Sequence, residues 1–176
     1  MTQESLAAAA REVGALYGNE ETGPSFRVAA RLRDGFYLPC VLVERADRRL
    51  QLAERRLKET RGWRSSISYR DTLRAFVIGG SRVDWYDIAA LEPSPYAIPV
   101  ERLREVEGET SMGWTQFGAV MNDGAAFQFG TSFHDAFFEM PEGYAGVDVS
   151  RITPVDRDAS TVWRSKPFFT CYVEGL

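Results

Sequence analysis

His134 beside Asp135 is the one place in this 176-residue chain where an imidazole adjoins a carboxylate, and a base oriented in that way can move a proton. His134 is also the only histidine, so chemistry that needs two is excluded. A nucleophilic thiolate at Cys40 would need His134 within hydrogen-bond reach. Cys40 falls on an apolar strand face and Cys171 in an apolar terminal strand, where cysteine acts as a small hydrophobe. Glu105, Glu107 and Glu109 surround Gly108 at a helix end. Paired carboxylates can divide acid and base roles, although the plain alternative is an exposed acidic turn. Glu107, Glu109, His134 and Asp135 together make a candidate acidic pocket for a hydrolase or transferase without a linear motif.

Asp156, Asp158 and Ser160 have the spacing of oxygen ligands in a calcium loop, but Thr161 stands where glycine is needed and Pro167 where the closing glutamate belongs. A solvated turn is expected there. The chain has no Gly-x-x-x-x-Gly-Lys, Gly-x-Gly-x-x-Gly or Gly-x-Ser-x-Gly run. No cofactor and no metal are expected, and the balance leans away from catalysis.

Charge is divided along the sequence. Residues 27–74 carry 13 basic and 6 acidic side chains, whereas the other 128 carry 8 and 19, for the stated net of −4. Arginine outnumbers lysine 19 to 2, which suits bidentate contacts to phosphate or carboxylate but also follows from coding bias. On a helix over 47–61, Arg45, Arg48, Arg49, Arg55 and Arg56 lie opposite the apolar stripe of Ala46, Leu50, Ala53 and Leu57. Such a face can meet an anion or an acidic partner. It can equally be a solvated face, partly neutralised by the four-residue spacings Glu44–Arg48, Glu54–Lys58 and Arg55–Glu59.

The elements that must position these residues follow from periodicity. Thr2 caps a helix expected to reach about Tyr17 and stop at Gly18. Phe26–Leu32 and Phe36–Val43 alternate as strands around a three-residue loop, Arg33–Gly35, with Gly35 left-handed. That register puts Phe26, Val28, Ala30 and Leu32 on one face with Phe36, Leu38, Cys40 and Leu42. Asn122–Gly124 makes the same device between Trp114–Met121 and Ala125–Thr131, aligning Phe117, Ala119 and Met121 with Phe129, Phe127 and Ala125. Its opposite face, Gln116, Gly118, Gln128 and Gly130, reads as half-solvated. The three phenylalanines are expected to pack against the first helix, or to form a recognition surface if uncovered. The hairpins share little beyond Asp-Gly, so no internal repeat is assigned.

Gly62 should end the 47–61 helix. Ser66–Ile78 reads as a short strand and then a helix, Arg82–Leu91 as a strand, Pro93–Tyr96 as a turn and Pro99–Val106 as a proline-started helix. Ala136–Met140, Val147–Ile152 and Pro167–Val173 complete the strands.

A composition 44% hydrophobic and 26% charged, with two distant cysteines, excludes disordered and disulfide-scaffold classes. The first residues lack the basic start of a signal peptide, and no apolar run reaches membrane-spanning length. The sequence therefore reads as one α+β domain over 1–176, a mainly antiparallel twisted sheet built from hairpins with the N-terminal helix and the 47–61 helix packed on it. The leading expectation is a cytoplasmic, non-catalytic binding module. It would meet another protein through the basic 27–74 segment or the aromatic C-terminal sheet. A sequence-tolerant nucleic-acid binder using the arginine helix and the motif-less enzyme are the alternatives.

Overall fold

Two hairpins organise the fold; the first gathers three further strands and the second gathers two. The computed structural model describes residues 1–18, 23–60, 81–132, 135–156 and 158–176. The expected elements over 66–78 and the stop at Gly62 lie outside them. The architecture is the expected α+β, in two mostly antiparallel sheets. Helix α1 (Gln3–Val13) is capped by Thr2, whose hydroxyl accepts the Ser5 N–H while the Ser5 hydroxyl accepts the Thr2 N–H. It stops at Gly14 rather than near Tyr17. A Cβ on Gly14 would lie 2.8 Å from Phe26 Cβ, so only glycine lets the helix end descend onto the sheet. Ala15–Tyr17 then leaves as strand β1.

Strands β2 (Ser25–Leu32) and β3 (Tyr37–Glu44) form the first hairpin. β1 and β4 (Ile88–Pro93) pair with successive stretches of β2, and β9 (Phe169–Tyr172) runs parallel to β3. Gly35 has φ 92°, and Leu32 N–H donates to Phe36 O, as the three-residue loop requires. Farther from the turn, the expected face assignment fails. Ala30 pairs with Leu38 but Val28 pairs with Val41, so β3 carries one extra residue at Pro39–Cys40. Proline has no N–H for the ladder, and a bulge is where a strand tolerates it. The bulge moves Val41 and Val43 to the α1 side, with Leu6, Ala7, Ala10, Val28 and Ala30, and sends Cys40 and Leu42 to the opposite face. Burial of a side chain such as Leu6 in that core contributes about 1.5–3 kcal/mol.

The second sheet is built from β5 (Thr115–Met121), β6 (Ala126–Thr131), β7 (Val149–Thr153) and β8 (Val162–Arg164), ordered β7-β5-β6-β8. Its hairpin keeps the expected register, Ala119 opposite Phe127 and Phe117 opposite Phe129. The expected half-solvated face is covered. The Trp114 indole lies on Gly130, and the Asp156 N–H donates to Gln128 Oε1 at 3.2 Å. Phe117 and Phe129 pack with Ile98, Phe138 and Val149 rather than with α1, and are buried. They offer no exposed aromatic surface. Of the expected strand 136–140, Phe138 makes a bridge, to Ser165. Alternate residues of this extended piece serve two cores, Phe137 facing Cys40 and Leu42 while Phe138 enters the second sheet's core.

Apart from β1, the sheets are two copies of one arrangement, which the sequence reading did not assign. In each, the turn glycine donates to a strand-end carbonyl (Gly35 to Leu32, Gly124 to Met121; both 3.0 Å). The first residue of each turn donates to a second segment (Arg33 to Asp87 O, 2.9 Å; Asn122 to Asp148 O, 2.8 Å). Those acceptors end matching 3-10 turns, Trp85–Asp87 and Gly146–Asp148, which lead into β4 and β7. Leu32 opposite Ile88 then matches Met121 opposite Val149, with the same register shift immediately beside each pair. The continuous strand expected over Arg82–Leu91 is therefore corrected: the ladder begins only at Ile88, because the 3-10 turn that meets the hairpin precedes it.

Helix α2 (Ala46–Thr60) falls within a residue of its expected bounds. It occupies the connection between β3 and β4, so the first copy's hairpin and third strand are much farther apart in sequence than the second's. A last short helix, α3 (Val100–Leu103), follows Pro99. Among the described residues, no helix is long and apolar enough to cross a membrane.

Candidate functional site

The arginine face of α2 is engaged with its own surroundings. Arg45 grips Asp47 with two hydrogen bonds of 2.9 and 2.5 Å, and each partner favours the charged form of the other. Arg49 Nε reaches both oxygens of Glu44, which is buried at the end of β3. Burial pushes the Glu44 carboxyl up, and Arg49 opposes it. Arg48 donates to Gln51 at 3.4 Å, and its stem lies against Gly23. Arg55 is partnered as well, while the Arg56 side chain lies outside the described residues. The expected stripe is therefore partly an internal ion-pair system.

Two of the four acidic-pocket candidates line one cavity. Glu109 and Asp135 line a cavity of about 250 Å³ between α3, its following loop and the second sheet. Leu103, Val106, Phe117 and Phe138 supply its apolar wall, and Thr115 and Thr131 also line it. Glu107 is exposed and is not part of this lining, and His134 lies outside the described residues. Glu109 Oε2 accepts the Gly113 N–H at 3.3 Å, a contact within the loop itself. Asp135 accepts the Tyr17 hydroxyl. Tyr17 sits under the guanidinium of Arg27, 5.2 Å from the ring centroid. Arg27 is fully buried and donates to Leu16 O (3.1 Å) and Ala136 O (3.2 Å), joining the first sheet to the segment that carries Asp135. Burial, opposed by Tyr17 and Asp135, pushes the Arg27 guanidinium down to about 10, so it remains a cation at neutral pH. Burial first, and then Asp135, pushes the Tyr17 hydroxyl above its ordinary range.

The third candidate surface is the tip of the first hairpin. Phe36 is 70% exposed, Tyr86 53% and Tyr37 41%. Arg31 lies over the Tyr37 ring at 5.2 Å and pairs with Glu92, while Arg33 Nε donates to Tyr86 O at 2.6 Å. Tyr86 donates to Asp84, which also holds Arg82. In the second copy, Ala125, Ala126 and Val147 occupy the places of Phe36, Tyr37 and Tyr86.

Sequence reasoning passed over Tyr17, Arg27, Thr115, Thr131, Phe36 and Tyr86. Two signals were available: an arginine alternating with apolar residues on β2, and an aromatic pair immediately after a tight turn. Asp156 and Asp158, weighed for calcium, form a local turn in which Asp156 Oδ1 accepts the Asp158 N–H. Among the described residues, no three metal-ligating side chains converge. A scan against protein-family models, a search of curated proteins and a search of solved structures each found no match to the chain.

Proposed function

We propose that the protein is a non-catalytic binding module that engages a protein partner through the tip of the β2–β3 hairpin, inside the basic 27–74 segment. The observation that carries this reading is the difference between two copies of one turn. Ala125, Ala126 and Val147 suffice to build it in the second sheet, so the backbone does not require Phe36, Tyr37 and Tyr86 in the first. Large aromatic side chains held in water where the turn itself does not require them are what a contact surface retains. Tyrosine and arginine standing together are the residue types that dominate interface energetics.

Charge supports a protein rather than a nucleic acid. Around the tip, Arg31, Arg33 and Arg82 are balanced by Asp34, Asp84, Asp87 and Glu92. A surface without net positive charge lacks the counterion-release term that drives phosphate-backbone binding. Two unpaired buried thiols fit a reducing compartment such as the cytoplasm.

A photoreactive phenylalanine analogue placed at position 36, and in a second protein at position 125, tests the reading in the producing cells. One discrete protein adduct is expected from position 36, lost on Tyr86→Ala, and none from position 125. Absence of an adduct at 36, or the same adducts from both turns, would refute it.

A further inference from the structure

The two copies differ at one more place, where each sheet meets what covers it. In the first copy, Phe26 opposite Val43 forms an apolar cross-strand pair, with Val28 beside it, and the end of α1 rests on Phe26 and Val28 at Gly14. The matching residues of the second copy are Thr115 opposite Thr131, with Phe117 beside them. These three line the cavity that also holds Glu109 and Asp135. The position that closes a core in one sheet is thus part of the lining of an open hollow in the other.

We propose that this cavity is a binding site for a small organic cation, an ammonium or guanidinium carried on an apolar body. The apolar wall, Leu103, Val106, Phe117 and Phe138, takes the body by burial. The two carboxylates, Glu109 and Asp135, take the cationic end through charge-assisted hydrogen bonds. Tyr17 is a positioning residue: its hydroxyl fixes one oxygen of Asp135, and Arg27 fixes Tyr17. An anionic ligand would meet two carboxylates in the lining, whereas a cationic one complements them.

The test is a titration of the isotope-labelled full chain with 2-phenylethylammonium, 2-phenylethanol and 3-phenylpropionate, followed through the backbone amides. Saturable shifts at 115, 117, 131 and 138 are expected with the ammonium, at least tenfold weaker binding with the alcohol, and none with the carboxylate. Asp135→Asn and Glu109→Gln should each weaken the ammonium at least tenfold while the spectrum stays that of the folded protein. The double variant Thr115→Phe/Thr131→Val restores the first copy's apolar pair and should abolish binding. Equal response to the three compounds, shifts confined to residues away from the cavity, or undiminished ammonium binding by Asp135→Asn would overturn the proposal. The hairpin tip plays no part in this site, so Tyr86→Ala should leave the titration unchanged.

Discussion

Gly130→Ala should destabilise the protein, although alanine is the better strand residue. The glycine is there for space rather than for an unusual backbone, since its φ is not left-handed. A Cβ at this position would overlap Trp114 Cζ2 and lie 2.9 Å from Cη2, contacts that only movement of the whole indole relieves. The ring is held on its outer side by Arg164, 5.1 Å from its centroid, and its Nε1–H reaches Gln116 at 3.4 Å. Overpacking costs about 1–3 kcal/mol, and a displaced cation–π contact roughly 0.5–1. Replacing glycine in a strand returns about 0.5–1 kcal/mol of backbone entropy. The steric effect wins, with a net loss of about 1–3 kcal/mol, or roughly 2–10 °C in Tm for a chain of this size. Thermal unfolding of the four members of a cycle with Trp114→Ala decides the matter. In the Trp114→Ala background, Gly130→Ala should be neutral or stabilising. An equal cost in both backgrounds, or a wild-type background that gains stability, would refute the reasoning.

Both thiols are buried, and burial pushes each up to about 12. Native protein at pH 8 should therefore react with a thiol reagent at the rate of unfolding, against two rapid equivalents in denaturant; fast native labelling would contradict this. Tyr86 and Arg82 hold the Asp84 carboxyl below its ordinary range, as Tyr144 and the Ala125 N–H hold Asp123. Such groups contribute stability that is present above the unfolded carboxylate pKa and lost as pH falls through the lower, folded one. Denaturation midpoints measured from pH 6 to 2 should fall, less so for Asp123→Asn. Burial-raised Glu44 acts in the opposite sense, its contribution being present below the unfolded pKa and lost as pH rises through the folded one. Phe36→Ala should change unfolding free energy by less than about 0.5 kcal/mol, as exposed positions do, whereas Tyr86→Ala also removes the hydrogen bond to Asp84. A larger loss in chemical denaturation would mean that the tip aromatics serve the fold.

What the sequence by itself determined is local. Gly35 and Gly124 announce left-handed turn positions because few other residues adopt them cheaply, and Thr2 announces a cap because its hydroxyl reaches an N–H three residues on. The second hairpin's register followed from alternation alone, since nothing interrupts it. In the first hairpin, Pro39 was visible, but whether the strand would absorb it in a bulge depended on which neighbours needed Val41 and Val43. Only tertiary structure decided the rest. The repeated arrangement shares just Asp34/Asp123, Gly35/Gly124 and Asp87/Asp148 across the turns described, because hydrogen-bonded ladders fix backbone geometry while tolerating most side chains. Tyr17 and Asp135 stand 118 residues apart in sequence, and no periodicity brings them together. The charge division, plain along the chain, became Arg45–Asp47 and Arg49–Glu44 pairs and a buried Arg27 once folded. Coulomb attraction and desolvation act through space, so their outcome is set by which strands become neighbours.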